Sequence, residues 1–266
     1  MSNSSPFQHL AGMRSAKVPD DRWDFYPCTV DDAPASIFVN FWFERRAPLD
    51  GADTLCWILI QMLDAGDHGM GSRDGAQQLG PIEDAIVEQL KREGIFNVGR
   101  LRNHGRWQLT FYGPLDAEDA FRVVAEKRVA GRAFEVGSKL DPNWSYYHDF
   151  LLPNAERRRW IADHHVIEAL EREGDPLTKR RRVDHWIYFP LAEQRDRFIA
   201  ACKNGGFEMQ DGPAPAGPAD PPFCAMIYRE ESVQLEDIHA VVMSLHRLAE
   251  QHGGEYDGWE TSVERE

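Results

Sequence analysis

FNVGRLRNHGRWQLTFY (96–112) is the segment on which the fold turns. Two runs, Phe96–Arg102 and Arg106–Tyr112, flank Asn103-His104-Gly105, and a short glycine-containing connection between strand-like runs is typical of a β-hairpin. Before the hairpin, Pro81 at a first-turn position, Ile82, Ile86 and Leu90 at helical spacing and Gly94 as a stop predict a helix. The glycine-punctuated stretch 66–80 ahead of it reads as a loop. After the hairpin, 116–130 repeats the helical pattern with Ala117, Phe121, Val124 and Ala125. Outside both helices lie TLCWILIQML (54–63), a short apolar run that fits a buried strand, and Ala133–Lys139, another strand. The order from 54 to 139 is β-α-β-β-α-β.

The second half repeats that order. Asn154 is a good cap for a helix from Ala155 to about Glu173, and Arg182–Phe189 alternates as a strand. Leu191–Asn204 reads as a helix closed by Gly205-Gly206. Strands at Phe207–Gln210 and Phe223–Arg229 are joined by DGPAPAGPADPP (211–222), whose prolines exclude a regular element. Leu235, Ile238, Val242, Leu245 and Ala249 form one helical stripe ended by Gly253-Gly254, and Glu255–Val263 supplies a last strand. The expected fold is therefore α+β: two tandem ferredoxin-like domains, each an antiparallel sheet with helices on one face. The halves share this order without residue-by-residue similarity.

Upstream, Asp24–Thr29 and ASIFVNFWFE (35–44) read as strands around a turn at Asp31-Asp32-Ala33-Pro34, with Ile37, Val39, Phe41 and Phe43 on one face. Residues 1–18 are polar and aperiodic, an expected disordered tail. The domains expected are then 19–152 and 153–266. Splitting at Pro153 gives 16 basic against 22 acidic residues before it, or −6, and 14 against 22 after it, or −8. Both halves are acidic, which disfavours direct nucleic-acid binding. The longest apolar run, Thr54–Leu63, is far shorter than the roughly 20 residues of a membrane span, and the N-terminus lacks the apolar core of a secretory signal, so a cytoplasmic protein is expected. Cys28, Cys56, Cys202 and Cys224 form no C-x-x-C pair and read as buried thiols.

Candidate chemistry is sparse. His239, His246 and His252 on the last helix, and His164-His165 on the helix opening the second domain, lack the converging pattern of a metal site, so neither metal nor cofactor is expected. No G-x-S-x-G, P-loop, G-x-G-x-x-G or H-E-x-x-H occurs, and no catalytic residue is assigned. The loop GDHGMG (66–71) lacks the lysine and hydroxyl residue of a phosphate cradle and reads as a connection. Asp184, Asp257 and Glu260 are the carboxylates to watch, with solvated strand and turn acids as the simpler reading. Two basic runs, Arg157–Arg159 and Lys179–Arg182, break the acidic background, and the acids between them favour a salt-bridged face over an RNA site. The ending GGEYDGWETSVE (253–264) reads in two ways. Asp257-Gly258 allows a bulge in an edge strand that displays Tyr256 and Trp259 among acids, as a recognition edge for basic partners; or the strand is a core strand with both rings partly buried.

The second half resembles the regulator of ribonuclease activity B family, on ALEREGDPL (169–177), VDHWIYF (183–189), the Gly-Phe start at 206–207 and GEYDGWET (254–261). The resemblance implies a ferredoxin-like fold and a non-catalytic role, since the best-known members bind the non-catalytic region of a degradosome endoribonuclease and reduce its activity. His185, Tyr256, Asp257, Gly258 and Trp259 fall on the family's motif positions; with Glu260 they are the expected partner-binding residues. The best-known members carry a longer acidic tail and lack the N-terminal domain. The first half resembles the domain of unknown function family 695, on WDFYP (23–27), the ASIFVNFWF strand and the aromatic segment before Pro153. The leading expectation is a regulatory protein acting on a protein partner, a ribonuclease or degradosome component. The alternative is an enzyme or small-ligand binder with a site between the domains near Tyr146, Tyr147 and His148.

Overall fold

The computed structural model describes residues 22–66, 68–115, 117–210 and 223–265, and the chain divides into two compact units, the second beginning at Arg158. The expected tail at 1–18 and the proline-rich connection 211–222 lie outside the described residues. No described helix is long and apolar enough to cross a membrane.

Unit 1 contains β1 (Trp23–Val30), β2 (Ala33–Asn40), β3 (Thr54–Gln61), α1 (Arg73–Lys91), β4 (Phe96–Asn103), β5 (Arg106–Gly113), α2 (Ala117–Arg128) and β6 (Phe134–Leu140). Its antiparallel sheet has the order β1-β2-β4-β5-β3-β6. Stripped of β1 and β2, the last four strands are ordered fourth, first, third, second along the chain of that motif, which is the ferredoxin-like arrangement. The central hairpin turns on His104 and Gly105, both at positive φ (47° and 71°), as a two-residue turn matched to strand twist requires. Asp31 and Asp32 (φ 50° and 58°) turn β1 into β2 the same way, so β2 starts at Ala33, inside the expected turn. α1 and α2 bury Leu79, Ile86, Leu90, Phe121 and Val124 against Ile58, Ile60, Leu109 and Phe111 of the sheet. The opposite face receives the aromatic segment 144–151: Trp144 stacks on Tyr112 at 4.0 Å, Tyr26 Oη donates to Leu151 O (2.9 Å) and Tyr147 Oη to Asn40 O (2.7 Å).

Two further boundaries shift by several residues. The helix begins at Arg73, eight residues ahead of Pro81, because Ser72 Oγ accepts the Gly75 N–H (3.1 Å) as an N-cap and Ala76 and Leu79 reach the core. Pro81 thus sits inside α1, where it forfeits one helical hydrogen bond. The strand ends at Asn40 and not Glu44: Asn40 Oδ1 accepts the Trp42 N–H (2.9 Å) and rolls Phe41–Phe43 into a tight helical turn that buries Phe41 and Phe43.

Unit 2 holds α3 (Ala155–Arg172, in this unit from Arg158), β7 (Arg181–Phe189), α4 (Ala192–Lys203), β8 (Glu208–Met209), β9 (Phe223–Glu231), α5 (Leu235–Gln251) and β10 (Glu255–Thr261). Asn154 Oδ1 accepts the Arg157 N–H (2.9 Å) at the start of α3, the expected cap. The antiparallel sheet is ordered β10-β7-β9-β8, again fourth, first, third, second. All three helices contribute to one core: Ile167 and Leu170 from α3, Phe198 and Cys202 from α4, and Ile238, Val242 and Leu245 from α5 meet Val183, Ile187, Phe189, Ala225 and Ile227. The fold is mixed α+β with two antiparallel sheets, as expected.

Candidate functional site

β10 is an edge strand, and it carries the expected bulge. Tyr256 pairs with Ile187 and Gly258 with Trp186, so Asp257 has no counterpart on β7. Residues three apart ordinarily face opposite sides of a strand; the extra residue brings Trp259 back to the face of Tyr256. Both rings are consequently inside, Tyr256 at 3% and Trp259 at 8% exposure, and His185, paired with Trp259 across the ladder, is fully buried. The reading of β10 as an edge that displays its aromatics is corrected: the bulge turns them into the core. Asp257 and Glu260 are exposed and Gly258 half-buried.

Each buried polar group here meets another. Tyr256 Oη lies 2.8 Å from His185 Nδ1, and His185 Nε2 lies 3.3 Å from Glu231 Oε2, a carboxylate at 2% exposure. Burial, then Asp163 and Glu231, push the Tyr256 phenol far up, so it keeps its proton and can donate to His185 Nδ1. Arg229 Nε donates to Glu231 Oε1 at 2.5 Å while its guanidinium lies 4.1 Å over Phe207. Asp163, from α3, accepts Trp259 Nε1–H (2.8 Å) and lies 2.7 Å from His239 Nδ1. Arg159 Nη1 donates to Tyr256 O (3.1 Å), a carbonyl at the bulge. Arg229 and Glu231 were not singled out in the sequence, and Arg159 and Asp163 figured only in the first basic run and the acids around it; the i, i+4 spacing of Arg159 and Asp163 on α3 could have pointed to one helix face turned toward β10.

The second basic run scatters. Arg181 is buried and forked onto Asp175, Arg182 pairs with Asp184 on the other sheet face (Nη2–Oδ1 2.6 Å), and Arg180 Nη2 donates to Glu230 O (2.8 Å). Each of these arginines serves its own unit. Arg181 above all, then the Glu264 and Leu177 N–H groups, hold the Asp175 carboxyl well below the usual carboxylate range in spite of burial. His246 lies 3.4 Å from Glu250, and His164 stacks on Trp160 at 5.0 Å. No group of three or more metal-ligating side chains gathers among the described residues. The four thiols are free; burial pushes Cys56 and Cys202 up to about 12, while Cys28 and Cys224 are half-buried.

In unit 1, Tyr147 is buried and Tyr146 Oη accepts from Gln108 Nε2 (3.2 Å), so both tyrosines serve their own sheet. The glycine-rich loop packs against the hairpin turn: Gly105 N–H donates to Gly69 O (2.8 Å), and a Cβ on Gly69 would come within 3.0 Å of the His104 backbone. A buried charge cluster went unforeseen. Arg100 and Arg102 face the helices, opposite Leu109 and Trp107. Arg100 Nη1 reaches both Glu83 oxygens (3.1 and 2.8 Å), Trp107 Nε1 donates to Glu83 Oε2 (2.8 Å), and both guanidinium groups lie over the Trp107 ring at 4.4 and 4.9 Å. Burial, then Arg100, push Arg102 down to about 10, and Arg102 donates to Met70 O.

No curated protein and no solved structure matches the chain. Two family models do, one on each unit: residues 21–152 match the family of unknown function (DUF695), and residues 160–261 match Regulator of ribonuclease activity B.

Proposed function

We propose that the protein is a non-catalytic regulator that binds an RNA-processing endoribonuclease through unit 2 and modulates its activity by protein–protein contact. The observation that carries this reading is where unit 2 keeps its chemistry. The His185–Tyr256–Glu231 cluster, which has the residue types for acid–base work, is sealed at 0–3% exposure, with Tyr256 Oη against His185 Nδ1 and Glu231 Oε1 held by Arg229, whereas Asp257 and Glu260 are exposed. The match of 160–261 to a regulator family supports the same reading. Asp257, Gly258 and Glu260 contact the partner; Tyr256, Trp259 and His185 hold the bulged strand in the shape that presents them.

The test is a cleavage assay with a purified degradosome endoribonuclease and a fluorogenic RNA, titrated with the full chain. Cleavage falls as the chain is added, the effect fades with added salt, and Asp257→Lys with Glu260→Lys weakens it. Unchanged cleavage together with no association at low salt sinks the proposal.

A further inference from the structure

The helices of unit 2 all pack on one face of its sheet. The other face is laid out in rows by the pairing register. Glu255, Tyr188 and Cys224 stand side by side; next come Gly258, Trp186 and Met226; then Glu260, Asp184, Tyr228 and Glu208. Strand alternation is strict: in β7, Val183, His185, Ile187 and Phe189 are buried, while Asp184, Trp186 and Tyr188 between them are half-buried. This is an aromatic platform rimmed by exposed carboxylates, Glu208, Glu230, Glu255 and Glu260.

Four-stranded sheets with aromatics on such a face can stack single-stranded RNA, but phosphates then require cations beside the rings. Here the sign is reversed. The face also supplies an internal precedent for what it accepts: the Arg182 guanidinium lies 3.7 Å over the Tyr228 ring while bonding both Asp184 oxygens (2.6–3.1 Å). Stacking on a ring and pairing with a flanking carboxylate are satisfied together. Trp186 stands in the next row between Gly258 and Met226, with Glu255 and Glu260 in the rows on either side, and no arginine stacks on it among the described residues. Gly258 stands next to it in the row, and a Cβ built there meets nothing within 4 Å, so the flank of the indole toward β10 is open.

We propose that this face binds an arginine-rich segment of a protein partner, with guanidinium groups stacking on Trp186 and Tyr188 and pairing with the surrounding carboxylates. The inference rests on the regulator reading above and gives it a surface and a partner chemistry.

The test uses the full chain and fluorescence anisotropy with three labelled probes: a peptide alternating arginine and glycine, its lysine counterpart, and an oligouridylate. The arginine peptide binds at low salt, the lysine peptide binds several-fold more weakly, and the RNA does not compete. Trp186→Ala weakens the arginine peptide by about fivefold or more, the scale of one desolvated cation–π contact. Gly258→Leu, which fills the open flank and leaves the core untouched, and Glu260→Lys weaken it too, so a misfolded Trp186→Ala would not hide the answer. Arginine-peptide affinity indifferent to all three variants, no arginine-peptide binding, or preference for the RNA overturns the proposal. The two readings separate in the cleavage assay. If Trp186→Ala regulates the endoribonuclease like the parent while Asp257→Lys with Glu260→Lys does not, this surface is wrong and the regulator stands; if the peptide binds this face and the endoribonuclease is unmoved, the surface stands and the regulator falls.

Discussion

The two units share one strand order and use it to opposite ends. Unit 1 extends its sheet by β1 and β2 and covers the second face with the 144–151 aromatic segment, and it buries two arginines, Arg100 bonded to Glu83 and Arg102 to the Met70 carbonyl. Unit 2 adds no strand, gathers its helices on one face, and buries a histidine, a tyrosine, an arginine and three carboxylates, Asp163, Asp175 and Glu231. The difference teaches that strand order alone does not say which face of a ferredoxin-like sheet is free to work; the elements added to it decide that.

Breaking the charge cluster of unit 1 tests the sharper half of this contrast. Arg100→Met strands the Glu83 carboxylate under α1 and should cost about 3–5 kcal/mol, whereas Glu83→Met with Arg100→Met should recover most of it. Denaturant unfolding, with hydrogen exchange to locate the loss in unit 1, reads both. A loss below about 1 kcal/mol for the single variant would mean that Arg102 replaces Arg100 at Glu83, and the cluster would be interchangeable in its cations.

Asp175 tests the ion pair of unit 2. Its folded pKa is depressed, so the stability it contributes is present above its unfolded value of about 3.9 and is lost as pH falls below that toward the folded value. Asp175→Asn should cost about 2–4 kcal/mol at neutral pH and flatten the acid limb below pH about 4. An unchanged acid limb would show that another carboxylate governs acid unfolding.

A smaller effect is expected at the bulged strand. Tyr256→Phe keeps the ring and deprives His185 Nδ1 of its partner, costing about 1–3 kcal/mol in thermal unfolding, with faster exchange confined to β7 and β10. A neutral result would make the hydroxyl dispensable and leave the ring to hold the strand.

Much of this architecture is legible in the chain because local chemistry and tertiary structure agree. The hairpin at His104-Gly105, the Asn154 cap and the stripe from Leu235 to Ala249 each need only near neighbours to take their form. The departures occur where two local signals compete. Pro81 suits a helix start, yet Ser72 caps earlier and the core takes Leu79; the aromatics at 41–43 suit a strand, yet the Asn40 side chain bends them into a turn. The site was legible as a location and not as an orientation. Asp257-Gly258 announces a bulge, but which way Trp259 then faces depends on the register against β7, a long-range property with no local trace. The acids that receive these groups, Asp163 on α3 and Glu231 on β9, are distant in the chain and come together only through the fold.

The bulge has a further consequence, in chain length. Between the two buried rings lie two residues, Asp257 and Gly258, where the ladder uses one. That interval is slack: losing either residue leaves one spacer and both rings still facing inward, whereas losing both makes the rings neighbours on opposite faces of the strand. The end of β10 thus tolerates one edit in length and is intolerant of the next.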